Sequence, residues 1–193
     1  LYALYLATIR KTDADGERQG HLRLQAAFIA LAHMDEPDLV LELLSDDFDS
    51  GRLAPVGCVL LYVAAKLRQQ WELALNCGQH IVAHGTEDVL ADETAQTGQI
   101  DVRRGIPRKL LGLDGQAAFL PFLKSDLVVV AGHIDAAKAD ELRLAQLDES
   151  DDVEEISAFL ESLLAQQSDE LFETALRQLG PKLATDDAAQ WWW

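Results

Sequence analysis

The 193-residue sequence predicts an all-α fold of helical hairpins stacked as a short α-solenoid-like array. Three observations predict it. Apolar residues recur at three- and four-residue steps, helix start and stop residues punctuate those runs, and one helical pair echoes another at an offset of 34 residues. Hydrophobic content of 49% supplies the core for one sizeable domain or two small ones.

The first helix covers His21 to Met34, with Leu24, Phe28, Leu31 and Ala32 on one face. Glu36 then reads as an N-cap, Pro37 as a first-turn proline and Asp38 as a first-turn acid, each suited to the positive end of a helix. Leu39, Leu43 and Leu44 give the second helix its apolar stripe, and Gly51 ends it as a left-handed cap. Pro55 opens the next pair, which runs through Val59, Tyr62, Val63 and Leu67. Its second helix extends from about Gln70 to His84, and Gly85 closes it.

Slid by 34 residues, Phe28 falls on Tyr62, Ile29 on Val63, Leu43 on Cys77 and Phe48 on Val82. Ala30/Ala64, Leu39/Leu73, Leu41/Leu75 and Gly51/Gly85 are identities. Such a period marks hairpins that cannot bury their apolar faces singly and stack to make a continuous core.

At these residues, 21 to 88, the chain resembles the tetratricopeptide and pentatricopeptide repeat superfamily. The stretch GRLAPVGCVLLYVAAKLRQQWELALNCGQHIVAHG is similar to a pentatricopeptide unit. It has proline at the entry, small residues near the end of the first helix, and an aromatic with a Leu-Ala-Leu group in the second. It departs from the pattern where Arg68 and Gln69 replace the glycine expected between helices, and where no proline follows Gly85. The resemblance implies recognition of peptides or proteins by concave helix faces, or, for the pentatricopeptide branch, one-base-per-repeat reading of RNA.

Residues 97–115 break the pattern with Gly98, Gly105, Pro107, Gly112 and Gly115 and read as a connector. They hold Arg103, Arg104, Arg108 and Lys109, a basic cluster in an acidic chain. It reads as a solvated loop pairing with the protein's own acids, with a phosphate or acidic-peptide contact as the alternative. Residues 116–131 are strongly apolar. Leu127 to Val130 fit a strand or a buried helix turn, and length and flanks favour helix, with Ser125 and Asp126 as a cap and Pro121 as a kink or start.

Helical punctuation then returns: Asp135 to Leu147, Ser150-Asp151 opening a helix through Leu164, and Ser168-Asp169-Glu170 opening another through Leu179, stopped by Gly180-Pro181. No 34-residue echo is visible in this half. The organisation predicted is helical-repeat hairpins over 1–96, the connector over 97–115, C-terminal hairpins over 116–187 and a tail over 188–193.

Charge narrows the function classes. There are 33 acids against 16 bases, giving −17 and a pI near 4.5, a field that repels phosphate backbones and anionic lipid. No run approaches the roughly 20 apolar residues of a membrane helix, Leu1 to Ile9 being too short. The expectation is a soluble intracellular protein of the cytoplasm or an organelle matrix. Cys58 and Cys77 lack metal-type spacing and read as buried small hydrophobes in a reduced compartment.

No catalytic, cofactor or metal site is expected. Glycine-rich phosphate loops, a GxSxG elbow and paired CxxC motifs do not occur. His80, His84 and Asp88 share a helix face, but Ile81 stands where a metalloprotease helix carries glutamate. Their counterparts 34 residues earlier include Asp46 and Ser50, so the face reads as solvated. His133, in VVVAGHID, lacks the further His and Asp clusters a strand-end metal hydrolase needs. The tail AAQWWW ends in Trp191, Trp192 and Trp193, which either pack onto the protein's own groove or anchor in a partner's pocket.

The functional expectation is a non-catalytic protein–protein interaction or scaffold module. It would serve as a subunit or adaptor of a larger complex whose partners are other, basic, protein subunits. RNA binding by a pentatricopeptide-like array is the alternative.

Overall fold

The computed structural model describes residues 16–84, 89, 105, 106, 108–111 and 118–183. Among them are eight α-helices, one 3-10 turn at Arg108–Leu111 and no β-strand, as the all-α expectation requires. The helices are α1 (Gly16–His33), α2 (Pro37–Asp49), α3 (Pro55–Leu67), α4 (Trp71–His84), α5 (Phe119–Gly132), α6 (Ala136–Asp148), α7 (Val153–Ala165) and α8 (Asp169–Leu183).

The chain divides into two compact units, residues 1–134 and 135–193. In the first, α1 to α5 pack in sequence order, and α5 lies directly on α4 although 34 residues separate them in the chain. In the second, α7 and α8 pack on each other and α6 packs on α8.

The 34-residue offset is built into the first unit. Helices α1 and α3 end 34 residues apart, at His33 and Leu67, and α2 and α4 start 34 apart, at Pro37 and Trp71. The burial pattern follows the same shift: Ala26, Ala27, Phe28, Ala30 and Leu31 of α1 recur as Leu60, Leu61, Tyr62, Ala64 and Ala65 of α3, all buried. On the second helices the buried stripe is Pro37, Val40, Leu44 and Asp47 in α2, with Leu39 and Leu43 half-buried beside it. In α4 the counterparts of Val40, Leu44 and Asp47 are Ala74, Gly78 and Ile81, also buried.

A second echo, absent from the sequence reading, joins α5 to α7. Leu123, Leu127 and Val130 of α5 and Ile156, Leu160 and Leu163 of α7 are buried at an offset of 33 residues, and α6 and α8 start 33 apart. Only Leu127/Leu160 is an identity among these three pairs. Burial conserves apolar volume on a helical face rather than residue type, so the repeat is plain in packing and faint in letters.

Local chemistry explains the helix ends. Pro37 and Pro55 take the first helical positions of α2 and α4's predecessor α3, where a missing N–H costs nothing. Helix α2 stops in a paired-bond cap: Gly51 N–H donates to the Phe48 carbonyl and Arg52 N–H to that of Asp47, both at 2.9 Å, with Gly51 at φ +68°. The same cap ends α3 and α7 with Gln69 (φ +57°) and Gln167 (φ +58°) in the glycine place. Asp135 caps α6 by accepting from Ala137 N–H, and Asp152 caps α7 by accepting from Glu154 and Glu155 N–H. The α7 cap therefore lies one to two residues beyond the Ser150-Asp151 expected, and the Ser150 hydroxyl instead accepts from Asp152 N–H.

Two further expectations are corrected. Ser125 and Asp126 do not cap α5 but lie in its middle, because Pro121 falls within the first turn, where its lack of an N–H leaves no bond unmade. Gly180-Pro181 does not stop α8, which continues to Leu183. Gly180 and Leu183 are buried, and Lys182 donates to the carbonyls of Leu147, Asp148 and Ser150, so tertiary contacts hold the last turn helical.

Candidate interaction surfaces

Polar side chains inside the first unit serve its cohesion. Asp47, only 8% exposed, occupies the place that Ile81 fills 34 residues later. Its carboxylate accepts from Arg23 of α1 at 2.8 Å and from Arg52 of the following loop at 3.2 Å. One buried acid thus ties three consecutive segments. On α5, one carboxylate oxygen of Asp126 accepts from both the Tyr62 hydroxyl and the Lys66 ammonium of α3. Burial, reinforced by the neighbouring carboxylate, pushes the Tyr62 hydroxyl far above its ordinary pKa. These groups hold one another and offer nothing to a substrate.

Cys58 and Cys77 are free and buried. Burial pushes the Cys58 thiol up to about 11 and raises Cys77 further, with Cys58 and Asp49 adding to the rise. Neither has the low pKa of a nucleophilic cysteine.

The histidines stack rather than chelate. His80 and His84 rings lie face to face at 4.5 Å, His80 also meets the Phe48 ring edge-on at 5.9 Å, and His84 Nδ1 lies 3.1 Å from the His80 carbonyl. Among the described residues no three His, Cys, Asp or Glu side chains gather as a metal site. Asp88 lies outside the described residues. His133, at the end of α5, stacks on Trp71 of α4 at 4.1 Å, over a shallow hollow that also involves Gln69, Gln70 and Glu72. Sequence reasoning separated these two rings by 62 residues and had no signal for their meeting.

Of the predicted contact residues, Arg103, Arg104, Trp191, Trp192 and Trp193 lie outside the described residues, as does the side chain of Lys109. Arg108 opens the 3-10 turn and is half-buried, with interactions of its own. Beside it Ile106 is fully buried and its N–H donates to the Val89 carbonyl at 2.8 Å, so part of the connector is fastened into the first unit.

The largest open surface feature described lies in the second unit, between α6 and α8. It is a groove of about 780 Å³ whose walls carry Asp140 and Glu141 on α6 and Asp169 and Glu170 on α8. Leu144 and Leu171 supply apolar surface within it, and no Lys, Arg or His lines it. It exists because α6 buries only Leu144 and Leu147, near its C-terminal end, leaving its first two turns uncovered beside α8. Burial raises the Asp140 carboxyl pKa, an effect that Arg143 opposes. No single residue announces this groove in the sequence. The acids are legible there as helix-face and first-turn residues, and only packing brings the two sets together.

No family model, curated protein or solved structure matches the chain. No helix among the described residues is long and apolar enough to cross a membrane.

Proposed function

We propose that this protein is a non-catalytic interaction module of helical repeats, a subunit or adaptor that binds other proteins. The observation that carries the reading is the recurrence of hairpins at 34 and 33 residues, with their buried stripes in register. A repeated hairpin array devotes its polar groups to its own cohesion and its outer helix faces to binding. The tetratricopeptide-like resemblance of residues 21–88 points the same way. The acidity of the chain favours basic protein partners over nucleic acid.

The test is gentle crosslinking and capture from native extract, with and without ribonuclease. A stoichiometric, ribonuclease-resistant set of proteins is the expected result. Recovery that depends wholly on RNA would overturn the reading and favour RNA binding through the segment containing Arg103, Arg104, Arg108 and Lys109.

A further inference from the structure

The negative charge is unevenly placed. Residues 135–193 hold 15 acids against four bases, so this second unit carries −11 of the chain's −17 in fewer than a third of its residues. Its core is complete without the groove: Ile156, Phe159, Leu160 and Leu163 of α7 meet Ala175, Leu179 and Leu183 of α8, with Leu144 and Leu147 of α6 closing the cluster. The groove is a separate feature. It combines four carboxylates, a strip of aliphatic surface and no opposing cation within its lining.

We infer that the α6–α8 groove is the docking site for a basic amphipathic segment of a partner protein, one that sets lysines or arginines against the rims and small aliphatic side chains against Leu144 and Leu171. Charge complementarity selects this occupant. An acidic or neutral apolar segment would leave four carboxylates facing a low-dielectric contact without partners, whereas a basic segment neutralises them and gains steering from the field of the whole unit. The same field disfavours the chain's own tail, since residues 184–193 contain Asp186 and Asp187 and no base. Apolar surface within the groove distinguishes the site from the other acidic faces, which attract cations without excluding water. This inference rests on the protein-binding reading and locates it.

The test uses the full chain and a labelled synthetic peptide of Lys, Leu and Ala designed as an amphipathic helix, followed by fluorescence anisotropy. Four groove substitutions, Asp140→Asn, Glu141→Gln, Asp169→Asn and Glu170→Gln, are combined in one variant. Glu154→Gln, Glu155→Gln, Glu161→Gln and Glu173→Gln, outside the groove lining, remove equal charge in a second. The expected result is a loss of about tenfold in affinity for the first and little change for the second. Thr174→Arg, a single exposed change in the groove, weakens the peptide without touching the core. Circular dichroism and melting confirm that each variant folds.

Equal losses in both charge variants, no loss in either, or equal binding of a Lys and Ser peptide lacking the apolar face would overturn the assignment. Captured partners distinguish this failure from the larger one. If the groove variant retains the ribonuclease-resistant partners of the native protein, the groove is wrong and the module reading stands. If the native chain captures no protein, that reading itself fails.

Discussion

Asp47 shows how one residue departs from a repeat. Its counterpart Ile81 sits wholly buried in an apolar stripe, while Asp47 spends the same position on Arg23 and Arg52. Truncating one member of a largely buried ion pair strands the other. Asp47→Ala is expected to lower stability by about 2 kcal/mol in urea titration, with most of that loss shared in a double-mutant cycle with Arg23→Ala. The left-handed cap positions give a cleaner case. Gly51 has open space where a Cβ would stand, so Gly51→Ala meets only the backbone cost of φ +68° and should lose about 1 kcal/mol. Gln69→Gly and Gln167→Gly should gain stability at the same kind of site, by up to about 1 kcal/mol each. The thiols set a pH dependence. An unfolded thiol ionises near 9 and folded Cys58 near 11, so the folded state holds the proton more tightly. The stability this provides is whole below pH 9 and is lost as pH rises towards 11. Ellman's reagent at pH 8 should accordingly label both cysteines slowly in the native protein and rapidly in urea.

Elements were more legible than their associations. Pro37 and Pro55 at helix starts, Gly51 at a helix end and the Asp135 cap are local signals, and each marks its boundary in the structure. Gly180-Pro181 misleads for the converse reason: a local stop signal is overridden by buried Gly180 and Leu183 and by the grip of Lys182. The echo between α5 and α7 escaped notice because Leu123/Ile156 and Val130/Leu163 share burial without identity. The placement of α5 on α4 is likewise invisible to local pattern. Its structural mark is Gly78, where an added Cβ would come within 2.3 Å of Leu127 Cδ2 and 3.1 Å of Tyr62 Cε2. Glycine lets α5 approach closely at a position where α2 carries Leu44. Gly78→Ala is therefore expected to cost about 1–3 kcal/mol through overpacking, and a compensating Leu127→Ala should recover part of it.

At the scale of the whole molecule, sequence charge identified the class of partner and only packing identified where it would meet the chain. The 34-residue echo, the all-helical content and the acidity lead to a helical interaction module. The groove arises from the exposed first turns of α6 lying beside α8, which no spacing of letters records. The most direct measurement is zero-length carbodiimide crosslinking of the captured native complex, which joins partner lysines to carboxylates of this chain and is read by mass spectrometry. The account predicts crosslinks concentrated at Asp140, Glu141, Asp169 and Glu170. Crosslinks scattered evenly over the acids of residues 135–193, or confined to residues 16–84, would contradict it.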